Sequence, residues 1–106
     1  MMVIVAEEIV LEEGTIEGVG VRDAIRIMEE ESRKQSGCLR YAFSVDISDP
    51  TIMRVYELWQ SMEALEAHFK GPHMAAFQKA LGGIKVKSMD VGVYEIKKEL
   101  ALPSAG

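Results

Sequence analysis

The sequence predicts an α+β fold: a ferredoxin-like split-βαβ with an antiparallel sheet and helices on one of its faces. Three observations predict it. The apolar pattern alternates between a period of two and a period near 3.6 in the order β-α-β-β-α-α-β. Two of the period-two runs are consecutive in the chain and are joined by Asp49-Pro50, which reads as a hairpin. The total of 106 residues suits one domain, 1–106, with a single layer of helices over a single sheet.

Each element has its own warrant. Met2 to Leu11 is rich in Val and Ile, with charge entering at Glu7 and Glu8, and reads as a strand. Gly14 and Gly18 to Gly20 break it. Val21, Ala24, Ile25, Met28 and Ser32 then recur at helical spacing, which predicts an amphipathic helix over Val19 to Gln35 with Gly37 as its stop. From Cys38 the period is two: Leu39, Tyr41, Phe43 and Val45 share a face. After the turn, Met53, Val55, Glu57 and Trp59 share a face, with Ile52, Arg54, Tyr56 and Leu58 opposite. Ser61 reads as a helix cap with Ala64 at the third helical position, and Met62, Leu65 and Phe69 form the apolar stripe. Gly71-Pro72 ends that helix and starts another, striped by Met74, Phe77 and Leu81 and stopped by Gly82-Gly83. Ile84 to Leu100 reads as a last strand, and Leu102 to Gly106 as a tail.

Composition narrows the function classes. The chain is 48% hydrophobic and 27% charged, ordinary for a soluble globular protein. A net charge of −5 argues against nucleic acid and anionic membrane as partners, since both need a positive field. The acidic run Glu29-Glu30-Glu31 reads as a solvated helix face. Cys38 is the only cysteine, so no intrachain disulfide or thiolate metal cluster forms, and a reducing, cytoplasmic setting is expected. Met1 to Ala6 is too short for a signal-peptide core, and no apolar run approaches membrane-spanning length. The glycines lack the spacing of a phosphate cradle. Because the two hairpin strands carry apolar or aromatic residues on both faces, one face would be left wet in a monomer. A two-fold partner packed sheet to sheet, a homodimer, is the expected remedy.

Four segments together resemble a known family: Ser36-Gly37-Cys38-Leu39-Arg40-Tyr41, Asp49-Pro50, Tyr56-Glu57-Leu58-Trp59, and the run Ala64-Leu65-Glu66-Ala67-His68-Phe69-Lys70-Gly71-Pro72-His73. It is the antibiotic biosynthesis monooxygenase family of the dimeric α+β barrel superfamily. The resemblance covers the middle of the chain closely and the two ends in element order only. It implies a homodimer whose protomers each hold a pocket between sheet and helices. It also implies, among other activities, cofactor-independent oxidation of quinols and polycyclic aromatic polyketides, haem degradation, or isomerisation of a small signal molecule. Haem-degrading members use an Asn, a helical Trp and a His one helix later. This chain has no Asn, carries His68 at the place of that Trp and Gln78 at the place of that His, which argues against haem. The missing Asn also weakens the analogy with oxygenases that hold a substrate enolate on Asn.

Candidate site residues follow from chemistry. His68 borders the inward stripe, where an imidazole could take a phenolic proton; the alternative is a histidine hydrogen-bonded at a helix end. His73 sits in a first helical turn, where the dipole favours neutral imidazole as base or donor; the alternative is a solvated helix start. Their spacing, with Pro72 between them, does not suit a metal, and no metal or cofactor is expected. Tyr41, Trp59, Leu65, Phe69, Met74 and Phe77 are candidates to shape a pocket for a flat aromatic, and equally core positions. Glu57, between Val55 and Trp59, must be paired or solvated, and pairing with an arginine such as Arg40 or Arg54, within the chain or across the dimer, is the expectation, with a base role the minor reading. Cys38 reads as a small packed residue.

The expected function is oxidation of a small aromatic or quinol by dioxygen without a cofactor. It requires a dry apolar pocket, a base to ionise the phenol, and donors for the developing anion. Two other classes stay open. One is an isomerase or detoxifying enzyme for a small carbonyl compound. The other is a non-catalytic dimeric binding module, whose sign would be a filled interior with both histidines facing water.

Overall fold

The computed structural model describes residues 1–82 and 84–104. Strand β1 (Val3–Leu11), helix α1 (Val21–Arg33), strands β2 (Cys38–Val45) and β3 (Ile52–Trp59), helices α2 (Met62–Phe69) and α3 (Pro72–Ala80), and strand β4 (Val86–Glu95) follow in the predicted order. The strands form one sheet ordered β2-β3-β1-β4, every neighbouring pair antiparallel, as an α+β ferredoxin-like fold requires. Among the described residues no helix is long and apolar enough to cross a membrane.

The period-two pattern decides which sheet face is covered. Val3, Val5 and Leu11 of β1, Tyr41 of β2, and Met53, Val55, Glu57 and Trp59 of β3 are buried under the helices. Val21, Met28 and Ser32 of α1 and Leu65 and His68 of α2 are the buried helical residues. Val3, Val5, Met28, Tyr41, Trp59 and Leu65 form one apolar cluster; Leu11, Ile16 and Met53 form a second. Burying a side chain as large as Leu65 contributes about 2 kcal/mol.

Local chemistry fixes the joints. Asp49 Oδ1 accepts from the Thr51 backbone N–H at 3.0 Å and its hydroxyl at 2.6 Å, closing the hairpin. Ser61 Oγ accepts from the Ala64 N–H at 3.1 Å, the predicted cap of α2. Gly37 leaves α1 in a left-handed conformation, φ 84°, and a Cβ there would lie 2.6 Å from the Ala64 Cβ. The Gln60 N–H donates to the Gly37 carbonyl at 2.8 Å. The end of α1 is thereby pressed against the start of α2. The open edge of β2 is occupied by α1: Phe43 N–H donates to Glu29 Oε2 at 2.8 Å, and Arg33 Nε donates to the Tyr41 carbonyl at 2.9 Å.

The elements depart from expectation in three places. α1 starts at Val21, not Val19, because Gly20 takes a left-handed φ of 78°, and it ends at Arg33. Leu39 does not share the inner face with Tyr41: the register shifts between Cys38 and Arg40, so Cys38 opposes Trp59, Arg40 opposes Leu58, and Leu39 is extruded to the solvent side. β4 stops at Glu95 rather than Leu100, because its partner β1 begins at Val3, the residue opposite Glu95. Of the predicted Gly82-Gly83 stop, Gly82 follows the last turn of α3 and Gly83 lies outside the described residues, as do Ala105 and Gly106 of the tail.

Helices cover β2, β3 and β1 but not β4. Met89, Val91 and Val93, on the helical side of β4, are therefore about half exposed. On the opposite face Tyr56 and Tyr94 are exposed to a similar extent, beside Ile4 and Leu58.

Candidate active site

Where the helical cover ends, a cavity of about 380 Å³ lies between the sheet and α1 and α3. Tyr41, Phe43, Phe69, Met74 and Phe77 form much of its wall, and Val86 and Met89 its rim toward β4. Its polar lining is Glu7, Glu57, Tyr41 and Gln78, and no lysine or arginine borders it. Tyr41, Phe69, Met74 and Phe77 are thus brought together as the sequence suggested. Trp59, Leu65, His68 and His73 are not in the wall.

The register explains the floor. Glu57 sits on the inner face of β3 between Val5 of β1 and Tyr41 of β2. Glu7, on the same face of β1, is one step away along the diagonal. Among the described residues of the protomer no arginine pairs with it: Arg54 is on the opposite face of the sheet, bonded to Glu8 and Asp46, and Arg40 donates to the Leu39 carbonyl. Glu57 is instead only 3% exposed and accepts one hydrogen bond, from Trp59 Nε1–H to its Oε1 at 2.9 Å. The two share a face because they are two residues apart on one strand. Burial raises the Glu57 carboxyl to about pKa 7, with the Trp59 bond working against the rise and Glu7 adding to it. Burial raises Glu7 as well. The Tyr41 phenol is driven upward by burial and then by Glu57, so it stays a neutral hydroxyl.

His68 is wholly buried behind this floor. Its ring lies 4.8 Å from the Trp59 ring and 5.3 Å from the Tyr41 ring, centroid to centroid. Nδ1 is 2.7 Å from Gln35 Oε1, and Nε2 faces Glu57 Oε1 at 4.0 Å without a bonded partner. Burial, reinforced by His73, lowers the imidazole to about pKa 4, so it is neutral near pH 7. His73 is half-buried behind it, the rings 5.5 Å apart, with its Nε2 also unpartnered. Where the sequence put His68 at the margin of the stripe, α2 turns His68 inward and leaves Met62 and Phe69 about half exposed. Among the described residues no group of three or more His, Cys, Asp or Glu side chains is placed to hold a metal ion.

A family model for antibiotic biosynthesis monooxygenases matches residues 2–80, about three-quarters of the chain and every element except β4. The chain belongs to that family. Among curated relatives, "Probable quinol monooxygenase YgiN" of Escherichia coli is 33% identical over 70 residues, covering 58% of this chain and 66% of YgiN. An uncharacterized Synechocystis protein, sll1783, is 27% identical over 73 residues, covering 69% of this chain and 50% of that protein. The matches thus span between half and two-thirds of the relatives' lengths. The fold recurs in a Deinococcus radiodurans crystal structure provisionally assigned as an antibiotic biosynthesis monooxygenase. It has a TM-score of 0.82 and 22% identity, covering 96% of this chain and 99% of that one. It recurs also in Rv0793 of Mycobacterium tuberculosis, with a TM-score of 0.79 and 19% identity, covering 95% of this chain and all of that one.

Sequence reasoning missed Gln35 and Glu7, and within the protomer Glu57 meets the Trp59 N–H rather than an arginine. Glu57 carried a signal, a charge on an otherwise apolar strand face. Gln35 carried none, because it meets His68 across 33 residues of chain.

Proposed function

We propose that residues 1–106 act as a cofactor-independent monooxygenase that oxidises a small hydroxylated aromatic, a quinol, with dioxygen in the cavity over Glu57. The observation that carries this reading is an apolar cavity floored by a carboxyl group whose pKa of about 7 matches the work of a general base near neutrality. Membership of the monooxygenase family and the distant likeness to YgiN support it at a coarser level. A lining with two carboxyl groups and no cation favours a neutral substrate with hydroxyl donors over an aromatic acid.

The chemistry follows in order. Ionised Glu57 takes a proton from a ring hydroxyl, and the protonated carboxyl then donates back to the phenolate oxygen. The electron-rich anion reduces dioxygen, and the apolar walls (Phe43, Phe69, Phe77) keep water away from the intermediate. One oxygen atom enters an unsubstituted ring carbon and the other leaves as water, so quinol plus O₂ gives hydroxyquinone plus H₂O with all electrons drawn from the quinol. In this reading Tyr41, Phe69, Met74 and Phe77 touch substrate, while Trp59, Leu65, His68 and His73 act from behind the wall.

An oxygen electrode and labelled dioxygen test the proposal. A naphthohydroquinone should consume one O₂ per molecule and gain one labelled oxygen. Uptake no faster than the uncatalysed rate, or peroxide formed in step with plain quinone, overturns it. Turnover of a small carbonyl compound without oxygen would instead mark an isomerase using the same carboxyl. The exposed Tyr56 and Tyr94, with half-buried Leu58 on the same face, support a homodimer packed sheet to sheet, as a dimeric α+β barrel. The unpaired Cys38 thiol suits a cytoplasmic setting.

A further inference from the structure

Gln35 and His68 border no part of the cavity, yet both are tied to the one carboxyl group that does the proposed chemistry. Gln35 Oε1 can only accept a hydrogen bond, so at 2.7 Å the proton of neutral His68 sits on Nδ1. Nε2 then carries a bare lone pair. It has no accessible surface and no bonded partner, and it faces Glu57 Oε1 at 4.0 Å. Against a carboxylate that lone pair is repulsive; against a carboxylic acid it is an acceptor. We propose that Gln35 is a positioning residue: by holding the His68 proton on Nδ1 it turns the Nε2 lone pair toward Glu57 and so decides on which side of the Glu57–His68 contact a proton resides. The proposal rests on reading Glu57 as the group that meets substrate.

Burial sets the base level of the Glu57 carboxyl, and the surroundings leave this contact unopposed by any cation among the described residues. Around Glu57, β1 supplies Glu7, β2 supplies Tyr41 and Cys38, β3 supplies the Trp59 N–H, and α2 supplies His68 with His73 of α3 behind it. On α1, Arg33 is spent on the Tyr41 carbonyl and on Glu29. Burial holds the resting carboxyl toward its protonated form, and the lone pair acts in the same direction. The N–H of Trp59 pulls the other way. A second tautomer, with hydrogen on Nε2, would add a donor to the carboxylate and favour ionisation.

Gln35→Met tests this, because it removes the oxygen while filling a similar volume. Nitrogen-15 NMR of the imidazole should show hydrogen on Nδ1 of His68 in the wild type and on Nε2 in the variant. The acid limb of kcat/KM should move down by about one pH unit in the variant. A merely structural role would alter stability or KM and leave tautomer and limb in place. Hydrogen on Nε2 in the wild type overturns the proposal, as does a variant whose tautomer and limb are both unchanged. The wild-type spectrum decides the first point even if the variant does not fold. Should the protein oxidise no quinol, carbon-13 NMR of the Glu57 carboxyl replaces the rate profile. Failure of the proposed activity is then separable from failure of this inference.

Discussion

The two faces of the sheet treat their acids in opposite ways. On the solvent face Glu8 and the nearby Asp46 share Arg54, at 3.2 and 2.8 Å, and Asp46 is held below the ordinary carboxylate range by that guanidinium and by the Ser48 N–H. On the helical face Glu7 and Glu57 meet no cation and both are raised, chiefly by burial. The residues are of the same kind, on the two faces of one sheet. What differs is water and a partner. The acids paired with Arg54 stay ionised, and the two left without a cation line the cavity, where Glu57 is poised to exchange a proton near pH 7.

The largest break in this comparison comes from Glu57→Gln, which keeps the shape and removes the ionisation. Turnover of a quinol should fall by about 10²–10⁴-fold in kcat/KM while Asp46→Asn, on the other face, leaves it unchanged. Steady-state oxygen uptake checks both.

The same Glu57 variant sharpens the comparison in stability. Glu57 has a folded-state pKa of about 7 against an ordinary 4.5. Its contribution is therefore full below pH 4.5 and is lost as pH rises through 7. Buried His68 runs the other way: lowered from 6.5 to about 4, it contributes above pH 6.5 and loses that as pH falls through 4. The two slopes oppose each other between pH 4.5 and 6.5. In Glu57→Gln the Glu57 slope is gone and the histidine slope is no longer opposed by it. The variant should gain on the order of 3 kcal/mol relative to wild type between pH 4.5 and 7, read from urea denaturation at each pH. The smallest effect belongs to Asp46→Asn, an exposed pair, whose thermal melt near neutral pH should be indistinguishable from wild type.

Most of the fold was legible because it is written in local patterns. The alternation of Met53, Val55, Glu57 and Trp59 survives intact as the inner face of β3, and Ser61 caps α2 as its position suggests. The failures share a cause. The bulge at Leu39 and the end of β4 at Glu95 are set by partner strands, which a linear pattern does not contain. The site was legible in part. Tyr41, Phe69, Met74 and Phe77 line the cavity because large apolar residues on converging elements must meet somewhere. The histidines drew attention as the usual carriers of proton chemistry, yet α2 rotates His68 into the core, and the acids that line the cavity are Glu7 and Glu57. The alternation already put Arg54 on the face opposite Glu57, and the Trp59 N–H, two residues along the same face, is the donor that reaches it. The helical tie from Gln35 to His68 needed the close approach at Gly37 and Ala64, which only the folded chain reveals.

One titration tests the central claim most directly: carbon-13 NMR of the Glu57 carboxyl, assigned by its disappearance in Glu57→Gln. A midpoint near pH 7 is the expected result. A midpoint at or below the ordinary 4.5 would mean that the carboxylate is solvated or paired after all, and would contradict the account.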